Sequence, residues 1–352
     1  MTPELQQKIE NIIVRNPQSD DREILFQLKQ LLYENENFAG KDIKPVAELV
    51  AENLRQLKAE TPQNGVIKTG FRDLDEAIGG FLPGEFVVIG ARPAMGKTTF
   101  LVDLSLNISK ILPLLYVTLE LSDTQLANRF IASLSEIPAH LIKQQTVATA
   151  EWKRIAATEK EFADRQLFVL DSRNNAIAAL KTQCEKQILE NGVKVIVVDY
   201  LQLVSSYQHR KYRELEVSFV CRELKNIAKE HHVCIIVSSQ LNRGVENRCG
   251  AEGKRPQLAD LRESGAIEQD ADKVIFLHRP EYYRIVTDEI GNCLIGVAEI
   301  IVAKNRNGIT GDVHLQFDKE IPKFRDFTDY KYKNDFAFSS DRLKELEEEA
   351  PF

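Results

Sequence analysis

Paired cysteines are missing from this chain. Its 352 residues hold five, Cys184, Cys221, Cys234, Cys249 and Cys293, scattered and odd in number. No disulfide framework or thiolate metal site is spelled out, and three of the five fall in segments that read as buried helix or strand, so a reduced cytosolic setting follows. The six histidines lack ligand spacing as well. His231-His232 reads as the end of a helix, where a cation is favoured. No apolar run reaches membrane-spanning length, and Met1-Thr2-Pro3-Glu4 has no signal-peptide pattern; a cytoplasmic chain without a membrane partner is expected. Repeats and low-complexity tracts are absent too. Excess positive charge is also lacking. Lys and Arg total 46 against 53 Asp and Glu, a net −7. That excludes an outer surface coating nucleic acid, yet allows a local binding loop facing inward.

What is present begins with ordinary composition, 43% hydrophobic and 28% charged, and enough length for a sizeable core in one large domain with appendages. The centre of the pattern is Phe86-Val87-Val88-Ile89, then Gly90-Ala91-Arg92-Pro93-Ala94-Met95-Gly96-Lys97-Thr98-Thr99, then the helical Phe100-Leu101-Val102-Asp103-Leu104. A strand, a glycine-bearing loop ending in Gly-Lys-Thr and a helix form the context of a phosphate-binding loop. Loop N–H groups and the helix N-terminus surround a polyphosphate, Lys97 reaches its β/γ oxygens and the Thr98 hydroxyl holds Mg²⁺. Residues 91–99 are therefore the expected nucleotide site, with ATP and Mg²⁺ as the expected ligands. Ala91 occupies the place of the motif's first glycine, a relaxed form that requires a φ tolerated by alanine.

Before this loop, 4–14 and 20–33 read as short helices, and a third runs from about Lys44 to Ala59 with Val46, Leu49, Val50, Leu54 and Leu57 on one side. That third helix either docks on a neighbouring copy or folds back on its own domain. From Lys68 onward strands alternate with helices, the signature of a parallel sheet covered on both faces. The strands expected are 86–90, 114–119, 167–170, 194–199, 233–238 and 273–277; 296–303 and 313–317 read as antiparallel. An acidic tail closes the chain.

Three strand tips carry chemistry. Asp199 ends Val195-Ile196-Val197-Val198, where a carboxylate can meet the metal held by Thr98. Glu120 follows 114–119 and can polarise an attacking water, the lesser alternative being an ordinary helix-start acid. Gln240 ends 233–238 and can report loss of the γ-phosphate.

Several stretches together resemble the DnaB-type replicative DNA helicases. They are Thr69-Gly70-Phe71-Arg72-Asp73-Leu74-Asp75, Ala91 to Thr98, Asp199-Tyr200-Leu201-Gln202-Leu203 and Ser239-Gln240-Leu241-Asn242-Arg243, followed by Asp260 to Asp272 and Lys304-Asn305-Arg306-Asn307-Gly308. The resemblance covers 66 to about 327 in the family's order. It implies a RecA-like α/β ATPase with a mostly parallel central sheet flanked by helices, assembled as a hexameric ring around single-stranded DNA and moving 5′ to 3′. It also implies Glu120 as catalytic glutamate, Lys304 and Arg306 as a basic pair acting on the neighbour's γ-phosphate, and Arg262, Glu263 and Gly265 as a DNA-contacting loop. A cation on developing phosphate charge is worth about 10³–10⁵ in rate. Residues 205–213, with His209, Arg210, Lys211 and Arg213, offer a second channel loop or a solvated charge run.

The organisation expected is a short helical segment over 1–40, a linker helix and linker over 41–67, the ATPase domain over 68–328 and the tail over 329–352. Family members usually carry a separate N-terminal helical domain of about a hundred residues; here some 40 precede the linker helix, which puts that domain's contacts, primase among them, in question. Glu347-Glu348-Glu349-Ala350-Pro351-Phe352 looks like the acidic tip of bacterial single-stranded-DNA-binding proteins, read by basic pockets on replication partners, or else is a solubilising end. The alternative to unwinding is a RecA-fold DNA-dependent ATPase acting as loader, recombinase-like filament or regulator.

Overall fold

In this computed structural model, residues 45–58, 65–172, 174–206, 213–261 and 265–327 are described. The chain divides into two units, Met1–Asn64 and Gly65–Phe352. The first shows helix α1 (Val46–Lys58). Pro45 precedes it, where a missing N–H costs nothing. Val46, Val50 and Leu54 lie along one side and are half or more exposed. The helices expected over 4–14 and 20–33, the acidic tail and His209, Arg210 and Lys211 lie outside the described residues.

The second unit is built on one sheet. Strands β1 (Phe86–Ala91), β2 (Leu114–Thr118), β3 (Leu167–Asp171), β4 (Val195–Asp199), β5 (Cys234–Gln240) and β6 (Lys273–His278) run parallel. Then β7 (Val297–Asn305), β8 (Gly311–Asp318) and β9 (Lys323–Asp326) continue it antiparallel. The order is β3-β2-β4-β5-β1-β6-β7-β8-β9. All six strands read as parallel are present, and the two read as antiparallel form β7 and β8.

The helices are α2 (Arg72–Ile78), α3 (Lys97–Ile108), α4 (Asp123–Ser135), α5 (Ala139–Gln144), α6 (Thr149–Ala163), α7 (Ile177–Asn191), α8 (Arg213–His231) and the short α9 (Gly250–Lys254) and α10 (Gly265–Asp270). Strand alternation sends Val87 and Ile89 into one core with Phe100, Leu101 and Leu104 of α3. It sends Phe86 and Val88 into a second core with Val217, Val220 and Leu224 of α8. Burial on both faces is why β1 reads as an unbroken apolar run. Gly90 belongs here for packing: a Cβ at that position would lie 2.6 Å from the Phe276 ring.

Cys184, Cys221 and Cys234 are buried, Cys249 and Cys293 are exposed, and none of the five is in a disulfide. Burial pushes the Cys184 thiol up to about 12. Among the described residues no helix is long and apolar enough to cross a membrane. The register aligns Ala91 with Gln240 and Thr118 with Asp199, so the carboxyl ends of β1, β5, β2 and β4 share one edge. Ligands of open parallel sheets bind at that edge.

Candidate active site

At the carboxyl end of β1 the chain turns through residues 92–96 into the first turn of α3. Ala91 is the last residue of β1 and needs no unusual φ. The left-handed conformations fall instead on Ala94 (φ 66°) and Gly96 (φ 93°). Gly96 is the N-cap of α3 and has no side-chain cap bond. The first N–H groups of that helix are therefore available to an anion. A Cβ on Gly96 would also press on the rings of Phe324 and Phe317 at 3.1 and 3.2 Å.

Here a cavity of about 500 Å³ opens, walled by the loop and by Glu120, Arg129, Tyr200 and Gln240. The Lys97 ammonium lies 4.5 Å over the Tyr200 ring. Burial holds its pKa below the ordinary lysine value, while Asp199 and Glu120 pull it back up. A partly desolvated cation beside a helix N-terminus is a built receptor for phosphate. Of the expected nucleotide residues 91–99, all but Met95 line the cavity, and Met95 is buried in the core. The Arg92 side chain turns aside: Nη1 donates to Leu241 O at 2.7 Å and Nη2 pairs with Glu246 Oε1 at 2.6 Å.

Asp199 is 3% exposed and accepts three hydroxyls. Thr98 Oγ1 donates at 2.9 Å, Tyr116 Oη at 3.1 Å and Ser238 Oγ at 2.6 Å. Burial and the Asp199 charge push the Tyr116 phenol well above its usual range, so it stays a donor. The Thr98 hydroxyl lines the cavity and the Asp199 carboxylate lies directly behind it, a set of hard oxygen donors that fits Mg²⁺. Glu120, two residues beyond β2, is exposed at the mouth. Gln240 is held from behind: its N–H donates to Gln202 Oε1 at 3.2 Å, and Gln202 Nε2 donates to Gln240 O at 3.2 Å.

The other basic residues divide sharply. Arg279 belongs to this loop, its Nη1 donating to Ala94 O at 3.3 Å and its guanidinium lying 3.9 Å over the Phe317 ring. Burial lowers its pKa. Lys304 and Arg306 sit at the opposite end of β1. The Arg306 N–H donates to Asp272 O at 2.9 Å, and the Asp272 N–H donates to Phe86 O at 2.8 Å. Asn307 Nδ2 donates at 2.8 Å to Glu85. A strand of six residues is about 16 Å long, so the pair cannot reach the phosphate loop of its own chain. Burial and neighbouring Arg306 lower the Lys304 pKa.

Arg262 and Glu263 lie outside the described residues; Gly265 starts α10, exposed. The segment before them is tied to Gln240's own continuation: Leu261 bridges Leu241, and Asn242 N donates to Asp260 O at 2.8 Å. Among 205–213, Arg213 begins α8 and pairs with Glu216 at 2.6 Å. The structural roles of Gln202, Tyr116, Ser238 and Arg279 escaped sequence reasoning, because each depends on strands far apart in the chain. The nearest signal for Gln202 was its place three residues after Asp199.

A loop cradle, a lysine over the helix start and a threonine–aspartate floor on a parallel sheet define a P-loop ATPase of the RecA-like class. Comparison narrows this. Residues 66–326 match the DnaB-like helicase C terminal domain, and the chain belongs to that family. It is 37% identical over 291 residues to the replicative DNA helicase DnaB of Leifsonia xyli, a match covering 81% of this chain and 62% of that protein. It is 35% identical over 289 residues to the replicative DNA helicase DnaC of Bacillus subtilis, covering 81% and 62%. The chain thus spans less than two thirds of these relatives' length. Among solved structures it is similar to the ATPase domain of G40P, with TM-score 0.74, 30% identity and coverage of 81% of this chain and 100% of that one. A DnaB-like replicative helicase studied with primase gives TM-score 0.75 at 29% identity, covering 92% and 76%.

Proposed function

We propose that this chain is the motor of an ATP-driven DNA helicase, a hexameric ring of identical copies that translocates 5′ to 3′ on single-stranded DNA and unwinds duplex during replication in the cytoplasm. The observation that carries this reading is the separation of the phosphate loop from the Lys304–Arg306 turn by the length of β1. Each nucleotide site is completed by a neighbour's cations, which makes hydrolysis depend on ring geometry. The exposed apolar side of α1 packs on the next copy.

Within a site, Lys97 and the α3 N-terminus hold the phosphates and Glu120 orients the attacking water. Thr98 and Asp199 hold Mg²⁺, which neutralises phosphate charge when bound. Gln240 reads the γ-phosphate. The Leu241–Leu261 bridge carries its displacement to Arg262, Glu263 and Gly265, which hold DNA through its backbone without reading bases. The terminal Pro351-Phe352 competes for basic pockets that read acidic tips; deletion of Phe352 should abolish that binding.

The test is strand displacement from a forked substrate together with sizing in the presence and absence of nucleotide. A ring that displaces the strand is expected. A lone subunit that hydrolyses ATP briskly beside DNA overturns the proposal.

A further inference from the structure

The carboxylate of Asp272 lies beneath the basic turn, 9% exposed as a side chain. One oxygen, Oδ2, accepts the Phe86 N–H at 2.7 Å and the Lys225 ammonium at 2.5 Å. The other, Oδ1, accepts Arg306 Nη1 at 3.2 Å. Arg306 is held at two further points, by its N–H on Asp272 O and by Nη2 on Gln269 O at the end of α10. Beside it the Lys304 ammonium donates to Glu268 O. Arg306 nevertheless keeps 46% of its side chain exposed.

We infer that Asp272 is a positioning residue for the reaction at the neighbouring nucleotide: it orients the Arg306 guanidinium that completes the next copy's site and has no part in its own. This rests on the reading above, in which Arg306 acts across the junction. The physical argument is pre-organisation. An arginine side chain carries much rotamer entropy, which is lost on fixing it against a phosphate. A buried carboxylate with one oxygen committed to Phe86 and Lys225 is rigid, so its free oxygen fixes the guanidinium before the nucleotide arrives. Arg306 needs that support because its other acceptors, Gln269 O and Asp272 O, are neutral. Lys225 in turn balances the buried charge, so that Asp272 holds Arg306 without neutralising it fully.

Asp272→Asn tests this. It keeps shape and an acceptor for the Phe86 N–H, but turns a neutral group toward the guanidinium. Nucleotide affinity should stay within about threefold of wild type while kcat falls about 10- to 100-fold, the scale of a misplaced reacting group. The decisive readout is mixing of variant subunits. Asp272→Asn mixed with Lys97→Ala should regain turnover above either alone, because some junctions then join an intact loop to an intact basic turn. Asp272→Asn mixed with Arg306→Ala should regain none, since both lesions lie in the same half of the junction. If Asp272→Asn leaves too little folded chain, Asp272→Asn/Lys225→Met removes both buried partners and is judged by the same mixtures against Lys225→Met. Wild-type turnover in Asp272→Asn, or recovery with Arg306→Ala and not with Lys97→Ala, overturns the inference. Failure of Arg306→Ala and Lys97→Ala to complement each other overturns the trans reading itself, and Asp272's role with it.

Discussion

The Thr98 hydroxyl donates to the Asp199 carboxylate at 2.9 Å across 101 positions of sequence. This contact joins the first turn of α3 to the tip of β4 and sets the floor on which a metal and a phosphate would meet. Thr98→Val keeps the shape and removes the donor. Asp199 retains Tyr116 and Ser238 as donors, so stability should move by about 1 kcal/mol, the net worth of one hydrogen bond. Mg²⁺-dependent ATP turnover should fall at least about 100-fold. Urea unfolding and steady-state hydrolysis measure the two separately; equal turnover removes Thr98 from the metal site.

Glu120 and Lys97 should fail in different ways. Glu120→Gln leaves the phosphate cradle intact, so nucleotide binding should persist while turnover drops about 10²–10⁴-fold, the range of a lost general base. Lys97→Ala removes the cation from the cradle and should weaken binding as well. Fluorescent-nucleotide titration beside single-turnover hydrolysis distinguishes them.

Asp103, in α3, predicts a pH dependence. Its carboxyl accepts Ser133 Oγ at 2.6 Å and Phe324 N at 2.7 Å. Burial nevertheless raises its pKa from 3.8 to about 6. A raised folded pKa means the folded chain binds the proton more tightly. The stabilisation is complete below about pH 4 and is lost as pH rises through 6. Asp103→Asn should therefore gain stability relative to wild type between pH 4 and 7, on the order of 2–3 kcal/mol. Urea midpoints for the two proteins across that range give the difference; a constant offset would show that Asp103 does not titrate there.

Gly90→Ala should destabilise by about 1–3 kcal/mol, the usual cost of overpacking, because the new methyl meets the Phe276 ring. Thermal unfolding measures it. Phe276→Leu in the same chain should recover part of the loss.

Much of this molecule is legible in one dimension. The apolar runs of β1, β4 and β5 are continuous because both faces are buried, so their place in a covered parallel sheet can be read from Val195-Ile196-Val197-Val198 alone. The buried face of α8 is legible for the same reason: Val217, Val220, Cys221, Leu224, Ile227 and Ala228 recur at helical spacing and are all buried. Residues 96–99 carry their own context of strand and helix, so the phosphate loop is local information too. The left-handed conformations at Ala94 and Gly96 are not local information, because they depend on where β1 ends and α3 begins.

The rest required the folded chain. Strand order is set by the packing of helices between strands, and that order puts Asp199, Thr98 and Gln240 on one edge. It also carries Lys304 and Arg306 to the other end of β1, where Asp272, Phe86 and Lys225 receive them. Periodicity and motif are properties of neighbours in sequence, and they determined the elements and the chemistry each could bear. Which basic side chains stand at which end of β1 is a matter of distance through space, and only tertiary packing decided it.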